Sequence, residues 1–334
     1  MTVGETLVIT RADVARAVTM RECIEAVESA FSRHAQGETI APGVLGAHVE
    51  GGGFHVKSAG LLDEPGGRPV FAAKVNANFP ANPDRSGLPT IQGVIALFDA
   101  SDGRVLALLD SGEITSLRTA AATAVAARYL APDDARVTIC GCGEQARNQL
   151  RAIASVRALQ QVMVLDVNVE RARRFAAEMA GELDLDVTVI HDLADAADET
   201  TIWVTCTPAR SWFLGRYHVA PGAFVAAVGA DNPEKQEIEP ELLAASGVVA
   251  DVLEQCATIG DLHHAISGGV MSREQVRAEL ADVVSGRKAG RLRADEIIVF
   301  DSTGTALEDV AAAALVYQRA LAMGTGLSVR LGAA

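Results

Sequence analysis

Residues 137–146 read Val-Thr-Ile-Cys-Gly-Cys-Gly-Glu-Gln-Ala. A short apolar strand runs straight into Gly141, Gly143 and Ala146, and an amphipathic stretch over 145–156 follows. This is a GxGxxA turn in the strand–turn–helix context that gives such a motif meaning. The first glycine permits the tight turn. The second lets backbone N–H groups approach a pyrophosphate, and the small third residue lets helix and strand pack closely. Glu144 and Gln145 open a helix whose N-terminus favours phosphate charge. The next apolar strand ends at Asp166, about twenty residues further on, where an acid accepts hydrogen bonds from ribose hydroxyls. An acid there also repels a 2′-phosphate. The run 166–170, Asp-Val-Asn-Val-Glu, contains no basic residue, so NAD is expected over NADP.

The pattern around the turn agrees. Short apolar runs at 137–140, 162–165, 187–190, 202–205, 224–228 and 248–250 alternate with helical stretches such as 170–180. Continuous apolar strands separated by helices predict a parallel sheet covered on both faces. The 334 residues exceed what this unit needs and imply a second lobe. Residues 11–36 carry an apolar stripe at helical spacing. The stretch 40–110, with Gly51-Gly52-Gly53 and Gly66-Gly67, alternates as strands and hairpins do. In 70–79, Phe71, Ala73, Val75, Ala77 and Phe79 share one face, while Lys74, Asn76 and Asn78 share the other. A helix is expected from about Thr115 to Leu130, capped by Thr115 or Ser116, with Arg118 in its first turn against the helix dipole. Ala131-Pro132-Asp133-Asp134 breaks it. An Ala-rich helix follows Thr305, and dipole stabilisation accounts for Glu308 and Asp309 in its first turn.

The net charge of −14 argues against nucleic acid and anionic membranes as partners. Cys23, Cys140, Cys142, Cys206 and Cys256 form no CxxC pair and read as buried thiols. The start, Met-Thr-Val-Gly-Glu-Thr, lacks a signal-peptide pattern, and no apolar run is long enough to span a bilayer, so a cytoplasmic location is expected. His263 and His264, near Asp251, Glu254, Gln255 and Asp261, lack metal-binding spacing, and no metal is expected.

Segments outside the turn carry a resemblance. Phe71-Ala-Ala-Lys74-Val-Asn-Ala-Asn-Phe-Pro80, Gly87-Leu-Pro-Thr90, Ile114-Thr-Ser-Leu-Arg118-Thr119-Ala-Ala, Val228-Gly-Ala-Asp231-Asn-Pro-Glu-Lys235-Gln-Glu and Phe300-Asp-Ser-Thr-Gly304 occur in order. With them the chain resembles the ornithine cyclodeaminase/mu-crystallin family over essentially its whole length. The resemblance implies an α/β fold in which a Rossmann-type NAD-binding domain, 131–304, is inserted in a discontinuous α+β substrate-binding and dimerisation domain, 1–130 plus 305–334. It implies that Lys74 and Arg118 hold the substrate, that Asp231, with Lys74, serves catalysis, and that a homodimer forms. Cofactor contacts are expected at Thr90, Thr119, Gly141, Gly143, Glu144, Gln145, Ala146, Asp166, Thr207, Val228, Gly229, Lys235 and Ser302. The physics agrees for Asp231, which follows a strand C-terminus where open α/β sheets bind ligands, although Gly-Ala-Asp-Asn-Pro is also good turn chemistry.

One departure stands out. Many members carry an arginine just after a proline near residue 42. Here Pro42-Gly43-Val44 has none, and Lys57 is the candidate replacement. A lysine is a point charge and cannot copy a planar fork, so the substrate can differ from ornithine. The resemblance offers three functions. The lead is NAD-dependent cyclodeamination of L-ornithine to L-proline plus ammonia through an imine. The alternatives are an amino acid dehydrogenase or imino acid reductase, and a non-catalytic binding protein. The site is expected to be locally positive through Lys57, Lys74 and Arg118.

Overall fold

The computed structural model describes residues 5–62, 68–79 and 81–331; Gly66, Gly67, Pro80 and the first four residues, named above, lie outside it. The chain divides into two compact units, 1–118 with 305–334, and 119–304.

The first unit is built on a seven-stranded sheet in the order Leu327–Arg330, Glu5–Ile9, Val105–Asp110, Ile91–Asp99, Val70–Asn78, Gly52–Leu61, Thr39–Val49. All neighbours run antiparallel except Glu5–Ile9 with Val105–Asp110. One face is covered by the helices Met20–Gln36 and Ala306–Met323, which also pack on each other. The expected single helix over 11–36 is two, Arg11–Ala17 and Met20–Gln36. Thr10 with Asp13 and Thr19 with Glu22 form reciprocal capping boxes, and the second starts a new helix in mid-pattern.

In Val70–Asn78 the covered face is the one with the polar residues. Lys74 lies buried in line with Val70 and Ala72, whereas Val75 is exposed. This strand is interior, between Gly52–Leu61 and Ile91–Asp99. Lys74 is therefore no wet edge lysine.

The second unit carries an eight-stranded, all-parallel sheet: Ala278–Glu279, Gly247–Ala250, Ile298–Asp301, Phe224–Ala227, Ile202–Thr205, Ala135–Cys140, Leu159–Leu165, Val187–Val189. Its central strands are buried throughout, which explains their unbroken apolar runs. Trp203, Phe224 and Phe300 fill the core. The helix Ser111–Leu130 takes the chain from one unit to the next. It begins four residues before the expected Thr115, because Asp110 Oδ1 accepts the Glu113 N–H at 3.1 Å and starts the helix early. Arg118 thus lies well inside the helix and not in its first turn.

Candidate functional site

Two groups of buried polar residues stand out, one in each unit. In the first unit, strand register places Lys57 directly across from Lys74, so both side chains leave the same sheet face. The helix Ala306–Met323 covers that face and brings Glu308 and Asp309 down on it. Lys74 Nζ lies 2.8 Å from Asp309 Oδ1 and 2.7 Å from Oδ2, and donates to Thr115 Oγ1 at 3.4 Å. Arg118 reaches Glu308 Oε2 through Nη1 at 2.7 Å and Asp309 Oδ1 through Nε at 2.8 Å. All four ionised side chains are at most 4% exposed, and Lys57 is 8% exposed. Burial pushes Lys74 down to about 7, with Arg118 and Lys57 adding to the effect; the attraction of Asp309 only partly offsets it. Asp309 moves below the usual carboxylate range: Arg118 and Lys74 outweigh its burial.

Dipole stabilisation is therefore not the main role of Glu308 and Asp309, which are counter-ions of Arg118 and Lys74. Glu308 Oε1 does cap the helix, accepting the Thr305 N–H at 2.9 Å, but its other oxygen pairs with Arg118. The site is also less positive than expected, since Lys57, Lys74 and Arg118 meet two carboxylates. Thr90 lies at the other end of the hairpin region, its carbonyl accepting the Phe79 N–H, and is not joined to this cluster by any described hydrogen bond. Thr119 follows Arg118 in the helix.

In the second unit, Gly141 adopts φ +94°, and a Cβ there would meet Cys206 O at 2.9 Å. The helix Glu144–Ala154 starts at Gly143 with no side-chain cap, and a Cβ on Gly143 would meet nothing within 4 Å. No side chain therefore occupies the start of this helix, and Gly143 leaves room beside it for an anion. Ala146 is fully buried where helix and sheet meet, while Glu144 is exposed and Gln145 half-buried. Asp166 follows the strand Leu159–Leu165 and accepts from Cys142 N at 2.8 Å. It also forms a bidentate pair with Arg171, the residue just past the acidic run.

At the ends of the neighbouring strands, a single carboxylate gathers the loops. Glu237 Oε1 accepts from Thr207 N and Oγ1, both at 2.6 Å. Its Oε2 accepts from Thr205 Oγ1 at 2.7 Å and Gly229 N at 2.8 Å. Val228 is buried beside them. Two residues beyond Gly229, Asp231 Oδ1 lies 2.7 Å from Lys235 Nζ, and the Asp231 side chain is 47% exposed. Ser302, after Ile298–Asp301, is buried and its Oγ has no partner among the described residues. Orphaned buried hydroxyls are uncommon in native proteins and point to an external partner. Glu237 and Arg171 are site features that the sequence reasoning missed.

Behind Glu237 lies a second layer of acids. Asp261 Oδ1 accepts Glu237 N and Ile238 N, and Asp301 Oδ2 accepts Leu262 N. Burial drives Asp301 up to about 8, Asp251 and Glu237 adding repulsion, and holds Asp261 well above the normal range. The folded chain therefore keeps protons that the unfolded chain releases above about pH 4. Stability should fall as pH rises from about 4 to about 8, by up to ~1.4 kcal/mol per pH unit for each retained proton. Urea midpoints at pH 5.5 and 8 check this. Asp301→Asn should flatten the difference; equal slopes in the two proteins would sink the assignment.

The five cysteines are free, and burial raises every thiol pKa, Cys23 and Cys142 to about 12. His264 Nε2 sits 2.8 Å from the Lys235 carbonyl, and His263 packs edge-on against its ring. Among the described residues, no three His, Cys, Asp or Glu side chains are placed to hold a metal ion together, and no helix is long and apolar enough to cross a membrane.

The model of the ornithine cyclodeaminase/mu-crystallin family matches residues 4–324. The alanine dehydrogenase of Archaeoglobus fulgidus is 36% identical over 327 residues, 98% of each chain. Among solved structures, an archaeal alanine dehydrogenase dimer with bound NAD superposes with a TM-score of 0.93 at 35% identity, covering 98% of this chain and all of that one. The Δ1-pyrroline-2-carboxylate reductase of Thermococcus litoralis, in complex with NADH and L-proline, gives 0.91 at 33%, covering 97% and 100%. A lysine cyclodeaminase gives 0.84 at 31%, covering 98% and 96%.

Proposed function

The chain belongs to the ornithine cyclodeaminase/mu-crystallin family, and on that premise we propose that it is an NAD-dependent enzyme acting at the α-carbon of a small amino or imino acid. Interconversion of the amino acid and its imino or oxo acid is the leading reaction. The observation that carries this reading is the buried cluster on the first unit's sheet. Lys57, Lys74 and Arg118 gather with Glu308 and Asp309 on this buried sheet face. A substrate carboxylate suits cations so placed, with Arg118 and Lys57 as its ligands. In its absence Lys74 loses its proton near neutrality, which suits it to donate to, or accept from, a substrate oxygen or nitrogen. A substrate with a second ammonium would add charge to a cluster whose carboxylates already serve Lys74 and Arg118. A small apolar side chain fits this balance better than that of ornithine.

The second unit fits NAD. Gly141 and Gly143 open the turn, the uncapped helix at Glu144, Gln145 and Ala146 receives phosphate, and Asp166 takes the ribose diol. Thr207, Val228, Gly229 and Ser302 line the strand ends, and Thr90, Thr119 and Lys235 complete the proposed contacts. Bound NAD supplies the acceptor for the two electrons leaving the α-carbon. Asp231, held by Lys235, moves the proton at the substrate nitrogen. We assign substrate binding and dimerisation to 1–130 with 305–334, and NAD binding to 131–304.

Cyclodeamination of ornithine to proline is the second reading, favoured by the likeness to lysine cyclodeaminase and the half-exposed Asp231. One experiment separates them. The protein is incubated with alanine and excess NAD, with pyrroline-2-carboxylate and NADH, and with ornithine and catalytic NAD, and both ammonia and NADH are followed. Stoichiometric NADH change with the first two is expected. Ammonia from ornithine without NADH would install the cyclodeaminase instead, and silence across an amino-acid panel would leave a binding protein. Asp231→Asn should abolish turnover with NAD affinity intact; full activity removes Asp231 from the mechanism.

A homodimer is proposed on two grounds. The similar alanine dehydrogenase structure is a dimer. The sheet face opposite Lys74 exposes Leu45, Phe54, Val75 and Val94, an apolar surface suited to a second copy. Sedimentation at the monomer mass would refute it.

A further inference from the structure

The pair formed by Asp166 and Arg171 says more about the cofactor than the acid alone. Both carboxylate oxygens are already engaged. Oδ1 accepts from Asn168 N and Arg171 Nη2, each at 2.8 Å, and Oδ2 accepts from Cys142 N and Arg171 Nε, each at 2.8 Å. Two ribose hydroxyls cannot bind this carboxylate until the guanidinium moves aside. The guanidinium is free to move, being 47% exposed and touching Asp166 through Nε and Nη2 only. It springs from the first turn of the helix Val169–Leu183, whose cap Asn168 is committed to the Arg171 N–H. Val167, between Asp166 and that cap, stands fully out of the surface.

An isolated acid at this position repels a 2′-phosphate, whereas an arginine beside it accommodates one. Here the two are combined. The ion pair cancels the acid's repulsion, and the unused face of the guanidinium is a ready bidentate ligand for a phosphate.

We propose that Asp166 and Arg171 form a two-position selector through which this chain accepts both NAD(H) and NADP(H). With an unphosphorylated ribose, Arg171 swings out and Asp166 takes the diol. With a 2′-phosphorylated ribose, Arg171 turns onto the phosphate. The inference rests on the dinucleotide reading above and deepens it.

The test uses nucleotide fragments, so that it reads binding and not turnover. Calorimetry on the full chain compares 5′-AMP with 2′,5′-ADP. The wild type should bind the two within about tenfold of each other, since a charge-assisted contact offsets the lost diol interaction. Arg171→Ala should shift the ratio of the two dissociation constants against 2′,5′-ADP by about tenfold or more, and Asp166→Asn should shift it the other way. Raising salt should weaken 2′,5′-ADP more than 5′-AMP in the wild type only. If the wild type discriminates against 2′,5′-ADP by a hundredfold, or Arg171→Ala leaves the ratio unchanged, the selector is refuted while the dinucleotide site stands. Failure of both fragments and of NAD to bind overturns the dinucleotide reading and the selector together.

Discussion

Arg118→Met is expected to cost about 3–5 kcal/mol of stability and to lower kcat/KM about a hundredfold. The two losses have separate causes. Arg118 pairs with Glu308 and shares Asp309 with Lys74. Its removal leaves buried negative charge uncompensated, and methionine, although it fills similar space, offers nothing to those oxygens. The catalytic loss has a different source, the missing planar fork for the substrate carboxylate. Pairing the substitution with Glu308→Gln tells the two apart. Deleting the orphaned acid should return part of the stability, because the two sites share one network and are not additive. It should return none of the activity. Urea unfolding followed by far-UV circular dichroism gives the first quantity and steady-state kinetics the second. A single-variant loss below about 1 kcal/mol, or recovered turnover in the double variant, would show that the pair is neither structural nor catalytic in this way.

Glu237→Gln is the second large effect. The Glu237 carboxylate accepts four hydrogen bonds from Thr205, Thr207 and Gly229, so it fixes the ends of Ile202–Thr205 and Phe224–Ala227 relative to each other. An amide replaces one accepting oxygen by a donating nitrogen. Whichever oxygen is replaced, the threonine hydroxyl there can turn and accept, but the backbone N–H of Thr207 or Gly229 then faces another donor in a fully buried place. At about 1.5–3 kcal/mol for a hydrogen bond to a charged group, roughly 2–3 kcal/mol of local stability is lost. The strand ends loosen, and NAD should bind at least tenfold more weakly. Gly229→Ala should reproduce the phenotype, since its Cβ would lie 2.5 Å from the Glu237 carboxyl carbon and 2.4 Å from Thr207 O. Fluorescence titration with NAD, together with thermal melting, measures both. An unchanged dissociation constant in both variants would reduce Glu237 to a core residue with no bearing on the cofactor.

The residues most legible in the sequence were those whose role is local. The turn at Gly141, Gly143 and Ala146 is a backbone device, and its strand and helix adjoin it in the chain. The parallel sheet announced itself because strands buried on both faces must be apolar throughout. Lys74 and Arg118 were found by resemblance and not by their surroundings. Their counter-ions were overlooked because the pairing joins positions 235 and 190 residues apart. One clue was available: in residues 306–316 Glu308 and Asp309 are the only residues other than Ala, Leu and Val. Two adjacent acids in a stretch apolar all round have to be buried, and buried acids need partners. Thr19 with Glu22 and Asp110 with Glu113 were also readable as helix starts, but the apolar stripe running past them hid the breaks. Arg171 was missed for a simpler reason. The acidic run was read as five residues, and the guanidinium that folds back on Asp166 is the sixth.

The pairing of Arg118 with Glu308 has a topological consequence. The chain quits the first unit at 118 and re-enters it at 305, and the ion pair bolts together side chains standing within four positions of those two points. The exit and the return are thus neighbours within the first unit, and the break that admits residues 119–304 is closed by that unit's own side chains. Such a segment can be exchanged for another of unrelated length, or bridged by a short tether, without redrawing the sheet that carries Lys57 and Lys74.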